Sequence, residues 1–516
     1  MMRWRWSALA GVAAGALTVG VAELLAAVAV RLGVSGTPSP VVALGEAFID
    51  RTPPWLKDLA ISTFGTHDKT ALLTGIALVV TAMAAAAGLL AARHRVAGLL
   101  VVVALAAVAA LAVLSRPNAS LSGVLPTLVG AVCGLFALSR LLDRETGWTS
   151  AAADVRAAEG PARRAFLTGL AGSGAVAVLA GAGSLVVARA SRAVQAGRAA
   201  LRLPAPTGPG PTPSELASLD VPGISALVTP PDVFYRVDTA LSVPQVSPGD
   251  WHLRVHGLVA EPLDLSFDDL LALPMVERMV TLTCVSNDVG GDLVGNQVWL
   301  GHPIRELLAR ARPLPGADMV LSTSADGWTA GTPLDALTDP GRDALLAIAM
   351  GGQPLPVEHG FPVRMVVPGL YGYVSATKWV VDLEVTRFDQ AEGYWTPRGW
   401  SARGPIKTQS RIDVPRAGRT VKAGRVTVAG VAWAQHRGIE RVEVRVDGGP
   451  WRPAQLAGGG TVDTWRQWTF AWDATGGDHT LQVRATDSTG VTQTAEQAPP
   501  APDGATGWHT VQVTVR

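Results

Sequence analysis

Hydrophobic and polar positions divide the chain into two parts with different periodicities. Before about residue 190, long apolar runs alternate with short polar loops. Five of these runs reach the roughly 20 residues that a bilayer-crossing helix needs, and they cover residues 6–30, 70–92, 96–115, 121–142 and 166–188. Small residues dominate the runs, as is typical of helices that pack closely in lipid. The first part is therefore predicted to be an N-terminal helical transmembrane bundle.

The second part alternates short β-like runs with turns. Residues 251–257, 280–284, 362–367 and 377–386 are predicted strands, and 265–273 and 305–312 are predicted short helices. From about residue 420 the pattern is wholly β, which is typical of an immunoglobulin-like sandwich. The expected domains are a membrane anchor (1–192), a Pro/Gly-rich linker that does not pack (193–214), an α+β domain (215–400) and an all-β sandwich (401–516).

Arginines give the membrane part an orientation. One set of span ends is rich in arginine and contains Arg3, Arg5, Arg93, Arg95, Arg140, Arg144, Arg156, Arg163 and Arg164. The positive-inside rule then places the N-terminus in the cytoplasm, and five spans place everything after residue 190 outside. Arg163-Arg164, ahead of the fifth run, looks like a twin-arginine export signal inside the chain, although two cytoplasmic arginines flanking a helix would give the same pattern.

Composition narrows the classes of function and cofactor that the chain can have. A net charge of +1 gives no reason to expect nucleic acid. Two cysteines, Cys133 and Cys284, exclude a disulfide scaffold, an iron–sulfur cluster and a cysteine-based zinc site. No predicted span contains a histidine pair for haem, and Glu23 is the single acid within a span, with no partner evident in the sequence. We therefore interpret the bundle mainly as an anchor.

Three clusters carry candidate chemistry. They lie at residues 234–239, 283–301 and 359–379. In the second, Cys284 offers a lone soft thiolate, which suits a metal whose other sulfurs come from an organic dithiolene. In the third, His359, Arg364 and Lys378 accompany glycine turns, where cations and backbone approach a phosphate. A lone cysteine at a strand end is more often a small core residue, so these features alone leave both readings open.

Together, in this order and at these spacings, the clusters resemble the sulfite-oxidase family of molybdopterin enzymes. The resemblance runs from about residue 230 to the C-terminus and is strongest over residues 345–379, which include the run His359-Gly360-Phe361-Pro362-Val363-Arg364. It implies an α+β molybdopterin domain followed by a dimerisation-type sandwich, and hence a possible homodimer. It also implies a single pyranopterin on molybdenum, with an oxygen atom moving to or from a small substrate.

The resemblance assigns roles residue by residue. Cys284 would supply the thiolate to molybdenum, with Arg236 near an oxyanion substrate and Tyr394 matching an active-site tyrosine. The residues implied in holding the cofactor are His359, Arg364 and Lys378, assisted by Ser375, Tyr235, Asp238, Asn287 and Asn296. No haem domain is evident, so the electron carrier, a cytochrome or a quinone, is expected to be a separate molecule.

Two departures leave the substrate open. Val285-Ser286-Asn287 follows the cysteine, where true sulfite oxidases have Ala-Gly-Asn and then arginines, and Asp238 stands near a family histidine. Both changes reduce positive charge around the metal. Oxidation of sulfite and reduction of a sulfoxide such as methionine sulfoxide are therefore both compatible with the sequence. A hypothesis of a different class is a non-catalytic surface adhesion protein with Cys284 buried.

Overall fold

The chain forms two compact units. The computed structural model describes residues 2–31, 34, 36–53, 56, 63–64, 68–116, 119–151, 164, 167–168, 171–172, 174, 183–212 and 214–516. One unit comprises Met1–Ala193 with Ala240–Val243, and the other comprises Val194–Thr239 with Pro244–Arg516. The first contains the apolar helices, and the second contains all of the β-structure.

The first unit contains long apolar helices. Its helices are α1 (Met2–Arg31), α2 (Pro40–Arg51), α3 (Asp68–Arg93), α4 (Arg95–Leu114) and α5 (Leu125–Ala151). Four stretches are long and apolar enough to cross a membrane, namely Trp4–Val30, Lys69–Arg93, Arg95–Leu114 and Leu121–Asp143. They coincide with the first four predicted spans. Arg163 of the twin-arginine pair and about half of the fifth predicted span, including all of residues 175–182, lie outside the described residues.

Small residues allow these helices to approach closely. A Cβ atom at Gly11 would overlap the carbonyl oxygen of Ala84, and one at Gly88 would overlap that of Ser7, so α1 and α3 cross backbone to backbone. Glu23 of α1 is not isolated, contrary to expectation. The Ser39 hydroxyl donates to both of its carboxylate oxygens at 2.8 Å, and the Val41 N–H donates at 3.2 Å. This carboxylate therefore ties the start of α2 to α1.

The expectation that the Pro/Gly-rich linker does not pack is wrong. Its first residues are the last turns of α6 (Gly183–Ala200), from which Arg198 donates to the carbonyl oxygens of Pro354 and Leu355 at 2.8–3.2 Å. Leu201 and Leu203 pack against the core of the second unit, and the Thr207 N–H donates to Met275 at 2.8 Å. Alternate apolar side chains and a backbone partner hold this segment despite its turn-rich composition.

The α+β part of the second unit contains two sheets. Its strands are β1 (His252–Gly257), β2 (Leu263–Ser266), β3 (Val276–Thr283), β4 (Val294–Pro303), β5 (Met319–Ser324), β6 (Thr329–Pro333), β7 (Leu345–Met350), β8 (Gln353–Pro354), β9 (Arg364–Val366) and β10 (Val380–Thr386). One sheet has the order β2-β1-β10-β5-β6, with β1 and β10 parallel. The other has the order β3-β4-β7-β8, with β9 also paired to β7.

Short helices cover these sheets, and local sequence explains them. They are α7 (Phe267–Leu271), α8 (Ile304–Ala311) and α9 (Leu334–Thr338). Helix α7 begins after a cap at Ser266, whose side chain forms a reciprocal capping box with Asp269. Helix α8 buries Ile304, Leu307, Leu308 and Ala311, which is the spacing of one helical face. Strand β7 is buried at every position, as its continuous apolar run predicts.

The predicted all-β domain is a sandwich of two sheets. Its strands are β11 (Gln409–Val414), β12 (Thr420–Val421), β13 (Gly424–Trp433), β14 (Ile439–Val446), β15 (Arg452–Pro453), β16 (Gln455–Leu456), β17 (Arg466–Ala474), β18 (Gly477–Asp487) and β19 (His509–Val515). The sheets have the orders β11-β13-β17-β16 and β12-β19-β18-β14-β15, with an apolar core between them. Trp433, Trp465, Trp468 and Trp472 are buried in hydrophobic clusters, whereas Trp451 lies nearer the surface against Trp508.

Candidate functional site

Cys284 directly follows β3 and begins the loop back to β4. Its N–H donates to the Leu293 carbonyl at 2.9 Å, and its Sγ lies 2.9 Å from the Ser286 hydroxyl oxygen. The residue is half-buried and in no disulfide. Burial raises the pKa of the thiol, while hydrogen bonding from Ser286 and the positive charge of Lys378 act in the opposite direction. The loop therefore presents a single sulfur within electrostatic reach of a buried cation.

The third sequence cluster forms a compact stretch that we call the cation segment (residues 359–378). His359 ends a single helical turn, Val357–His359, and Gly360 follows with a left-handed φ of 110°. A Cβ at Gly360 would lie 3.0 Å from the Cβ of Arg364 and 3.2 Å from the Cα of Lys378. Glycine is therefore needed here for both conformation and space. Its turn brings the three basic side chains of the segment together.

Arg364 is held by the backbone of its own segment. Its guanidinium donates to the carbonyl oxygens of His359 (3.1 Å), Met365 (3.3 Å) and Ala376 (3.4 Å) and lies 5.1 Å from the ring centre of Trp299. Burial lowers the pKa of this side chain to about 10, so it remains charged at neutral pH. No carboxylate pairs with Arg364 among the salt bridges of the described residues. Its charge is thus available to an anionic ligand.

Lys378 shares one carboxylate with the first sequence cluster. Its ammonium donates to Asp238 Oδ2 at 3.1 Å and to the Glu358 carbonyl at 2.9 Å. Arg236 donates to the same Asp238 oxygen at 2.8 Å, and its side chain is 41% exposed. Burial lowers the pKa of Lys378 to about 8, with the Asp238 charge opposing the shift. Asp238 thus joins a buried cation to an accessible one.

His359 lies 4% exposed inside this ring of charge. Burial, together with the charges of Arg364 and Lys378, lowers the pKa of its imidazole to about 3, so the ring is neutral at physiological pH. A hydrogen bond to the Pro231 carbonyl engages one side of the ring. Its Nδ1 is buried and makes no hydrogen bond with the described residues. Buried polar atoms rarely stay unsatisfied, so this nitrogen points to a ligand.

An aromatic wall connects the clusters. Phe234 stacks on Tyr235 with ring centres 5.2 Å apart and meets the rings of Trp299 and His359 edge-on, each at 5.7 Å. Burial raises the pKa of Tyr235, and the charges of Cys284 and Arg364 act on it in opposite directions. Tyr235 therefore lies within electrostatic range of both the thiol and the cation segment. The three sequence clusters converge on one site.

Other predicted site residues have partners inside the protein. The side-chain amide of Asn296 is fully buried, accepts from the Thr281 hydroxyl at 2.9 Å and donates to Leu227 at 2.8 Å. The Ser375 hydroxyl lies 2.9 Å from the Tyr371 carbonyl and is fully buried. Asn287 Oδ1 accepts from the Leu293 N–H at 2.8 Å and thereby closes the Cys284 loop. The structure gives these three side chains partners inside the protein, and their contact with the cofactor stays a prediction.

Tyr394 lies among residues outside the cation segment. Its N–H donates to the Thr329 carbonyl at 3.0 Å, its ring meets Trp395 edge-on, and the Arg398 guanidinium lies 3.7 Å from its ring centre. Tyr371, which we did not predict as a site residue, is buried. Burial raises the pKa of its hydroxyl to about 12, and the charge of Cys284 acts in the same direction. The position of Tyr371 two residues after Pro368-Gly369 was the sequence signal that would have identified it.

The residues present fit a molybdenum–pterin group. Among the described residues, no cluster of three or more His, Cys, Asp or Glu side chains could hold a metal ion, so a metal here would bring most of its own ligands. Such a group needs one thiolate, cations for a phosphate and polar contacts for a heterocycle. Cys284, the buried Arg364 and Lys378, and the unpartnered Nδ1 of His359 meet those needs.

Comparison with known proteins defines the class. Residues 240–395 match the family model of the oxidoreductase molybdopterin binding domain, and residues 409–483 match that of a bacterial Ig domain. The chain is 37% identical over 154 residues to an uncharacterized oxidoreductase, YuiH, of Bacillus subtilis, covering 30% of this chain and 74% of that protein. The chain therefore belongs to the sulfite-oxidase-type molybdopterin oxidoreductases and is an enzyme, which rules out the non-catalytic adhesion hypothesis.

Two further relatives refine this placement. The mitochondrial sulfite oxidase of Homo sapiens is 31% identical over 304 residues, covering 50% of this chain and 55% of that protein. The chain thus spans about half the length of the mammalian enzymes that it matches. The crystal structure of the sulfane dehydrogenase SoxCD from Paracoccus pantotrophus superimposes with a TM-score of 0.50 at 26% identity, covering 56% of this chain and 82% of that one. The sequence and structure comparisons agree on a sulfite-oxidase-type oxidoreductase.

Proposed function

We propose that the enzyme transfers an oxygen atom to or from a small sulfur oxyanion at molybdenum carried by a single pyranopterin. The observation that carries this proposal is the convergence of one half-buried thiol, two buried cations and an unpartnered imidazole nitrogen. Sulfite oxidases and a sulfane dehydrogenase among its relatives support a sulfur substrate. A separate cytochrome or a quinone would exchange the electrons.

The position of each side chain in the site suggests its role. Cys284 would supply the thiolate to molybdenum, and Arg364 and Lys378 would neutralise the pterin phosphate, with Tyr235 beside them. When bound, the cofactor would supply two-electron oxygen-atom-transfer chemistry. His359, kept neutral by its lowered pKa of about 3, would hydrogen-bond the heterocycle through Nδ1 without adding charge. Arg236, the most accessible of these cations, would attract and orient the anion.

Metal and pterin analysis of the purified full-length protein tests this proposal. We expect stoichiometric molybdenum in the wild type and loss of activity in Cys284→Ser, since a hydroxyl is a poor substitute for a soft thiolate. Cys133→Ser is the matched control, because that second free cysteine lies in helix α5. Wild-type protein that lacks molybdenum after expression with molybdate would contradict the proposal.

Asp238 supports one alternative substrate, a sulfoxide. Its carboxylate lies between Arg236 and Lys378 and accepts from both. It therefore reduces the net positive charge that a sulfite dianion would meet, whereas a neutral sulfoxide needs no such charge. Turnover with sulfite and an electron acceptor, and with methionine sulfoxide and an electron donor, separates the two. We expect sulfite turnover in Asp238→Asn to rise relative to wild type, and sulfoxide turnover to change little.

We propose that the catalytic part lies outside the cytoplasmic membrane. Four candidate spans support a membrane anchor, and the fifth apolar run in the sequence would make the number of crossings odd. The proposed domains are the anchor at 1–192, the linker at 193–214, the molybdopterin domain at 215–400 and the dimerisation-type sandwich at 401–516. Alkaline phosphatase fused after residue 516 should be active, and a fluorescent protein that fails to mature outside the cytoplasm should stay dark. The reverse pattern would contradict this topology.

A further inference from the structure

The strand that leads into Cys284 is the edge of its sheet. Strand β3 pairs with β4 on one side and with no other strand in its sheet order. In an antiparallel ladder, every second residue of an edge strand directs its N–H and C=O away from the sheet. These groups need partners when they are buried, and Thr281, three residues before the thiol, is fully buried. The N–H and C=O groups of Thr281 therefore need hydrogen-bond partners from outside the sheet.

The C-terminal sandwich supplies those partners. The Thr281 N–H donates to the Asp463 carbonyl at 3.0 Å, and the Thr281 hydroxyl accepts from the Trp465 N–H at 2.8 Å. Gln435 lies two residues after the end of β13. Its Nε2 donates to the Thr281 carbonyl at 3.0 Å and to the Thr283 hydroxyl at 2.9 Å. Its side chain is 0% exposed. The sandwich thus replaces the missing neighbour strand.

The loop beyond the thiol is held from the same domain. Arg411 of β11 donates to the Gly291 carbonyl at 2.6 Å and is fixed by Asp413 at 2.7 Å. A Cβ at Gly290 would overlap the imidazole of His509, so the loop lies directly on β19. The chain therefore contacts the sandwich both before and after Cys284. The cation segment meets the C-terminal domain separately, since the Tyr371 N–H donates to the Gly404 carbonyl at 2.7 Å and the Ile406 N–H donates to the Gly369 carbonyl at 3.0 Å.

We propose that the C-terminal sandwich positions the metal-binding thiol, and that Gln435 is a positioning residue for Cys284. This inference rests on the proposed function of Cys284. Loss of the Gln435 donors would leave the Thr281 carbonyl buried and unpaired, which favours local opening of the β3 edge. The thiol would then occupy a wider range of positions, while the cation segment would keep its own hydrogen bonds.

Gln435→Met tests the proposal, because methionine keeps the length of the side chain and removes both donors. Gln467→Met is the matched control. Gln467 is also 0% exposed and bonds the backbone of residues 219 and 225 instead of β3. The first readout is the alkylation rate of Cys284 in full-length protein produced without molybdate, followed on its peptide by mass spectrometry. We expect about a tenfold faster reaction in Gln435→Met and less than twofold in the control.

Further readouts separate positioning from general instability. In molybdenum-loaded protein, Gln435→Met should lower kcat and broaden the molybdenum paramagnetic resonance signal, with KM nearly unchanged. Gln435→Asn, which keeps a donor but is one methylene shorter, should fall between wild type and Gln435→Met. If Gln435→Met does not fold, the hydrogen-exchange rate of the Thr281 amide in the wild type still tests the proposal. Exchange as fast as in exposed loops, or equal alkylation rates in the two methionine variants, would overturn the proposal.

A failure of this inference is distinguishable from a failure of the proposed function. Wild-type protein without molybdenum would contradict the proposed function, whatever the alkylation rates are. Normal molybdenum content together with an unchanged thiol in Gln435→Met would contradict only the positioning role.

Discussion

The two sides of the candidate site are built in opposite ways. In the cation segment, Arg364 is held by carbonyl oxygens five residues before it and twelve after it. On the cysteine side, the side chain of Gln435 reaches Thr281 across 154 positions of sequence. Arg364 is therefore held by local chain geometry, whereas the strand before Cys284 is held by the docking of a second domain. A substitution in the cation segment should therefore lower cofactor retention, whereas a substitution at the contact between Gln435 and Thr281 should change the position of the thiol.

The largest expected effect is that of Arg364→Met. The substitution removes a buried charge proposed to face the pterin phosphate and leaves three carbonyl oxygens without their donor. We expect molybdenum content below about a tenth of the wild-type value and a loss of about 3 kcal/mol in unfolding free energy. Metal analysis by mass spectrometry and denaturant unfolding measure the two quantities.

Arg254→Met is the control for that variant. Arg254 belongs to the same domain, but its side chain is 62% exposed and pairs with Asp382 at the surface. Exposed ion pairs contribute little, so stability should change by less than about 1 kcal/mol and metal content should not change. Equal losses of molybdenum in the two arginine variants would contradict the proposal that Arg364 holds the cofactor.

Gly360→Ala should have the next largest effect. Its φ of 110° strains any side chain, and the new methyl group would press on Arg364 and Lys378. We expect a destabilisation of about 2 kcal/mol and a several-fold loss of molybdenum. Gly352→Ala shares the left-handed conformation, with a φ of 73°, but its methyl group would meet nothing within 4 Å. A similar loss of molybdenum in both variants would attribute the effect to backbone strain alone.

The buried charge of Lys378 predicts a pH dependence in protein without cofactor. Its pKa lies at about 8 in the folded chain and near 10.5 as an ordinary value. Between these pH values the unfolded chain binds more protons, so the unfolding free energy should rise with pH above about 8. Over the interval from pH 8 to 9.5, Lys378→Met should flatten this rise. A wild-type curve that falls over the same interval would contradict the assignment.

The smallest expected effect is that of Tyr394→Phe. Tyr394 contacts Thr329, Trp395 and Arg398, whereas Tyr235 lies in electrostatic range of Cys284 and Arg364. We expect kcat to change less than about twofold in Tyr394→Phe and about tenfold or more in Tyr235→Phe. Steady-state kinetics with the identified substrate measures both. The opposite order would restore Tyr394 as the active-site tyrosine.

Local patterns in the sequence were sufficient for most of the fold. Apolar run length located the four described spans, the helical spacing of Ile304, Leu307, Leu308 and Ala311 located α8, and the strand pattern predicted the sandwich. The cation segment was predictable for the same reason, since its residues are close together in the chain. The roles of its residues stay predictions until the cofactor is measured.

Long-range contacts were not predictable from the sequence. Nothing near Asn296 indicates that Thr281 and Leu227 engage both ends of its amide. Nothing near Glu23 indicates that Ser39 donates to it. In each case the partner is selected by packing between distant segments, and single-sequence patterns carry no record of that packing. Gln435 belongs to the same group.

The contact of Arg198 with Pro354 and Leu355 has a practical consequence for producing the catalytic part alone. The proline-rich stretch after residue 203 looks like the natural place to cut, yet a truncation there would remove Arg198 and Leu201. Both belong to the compact second unit, which begins at Val194. An expression boundary just before Val194 keeps them and omits every candidate span. The last turns of α6 are, in this sense, the first residues of the compact second unit.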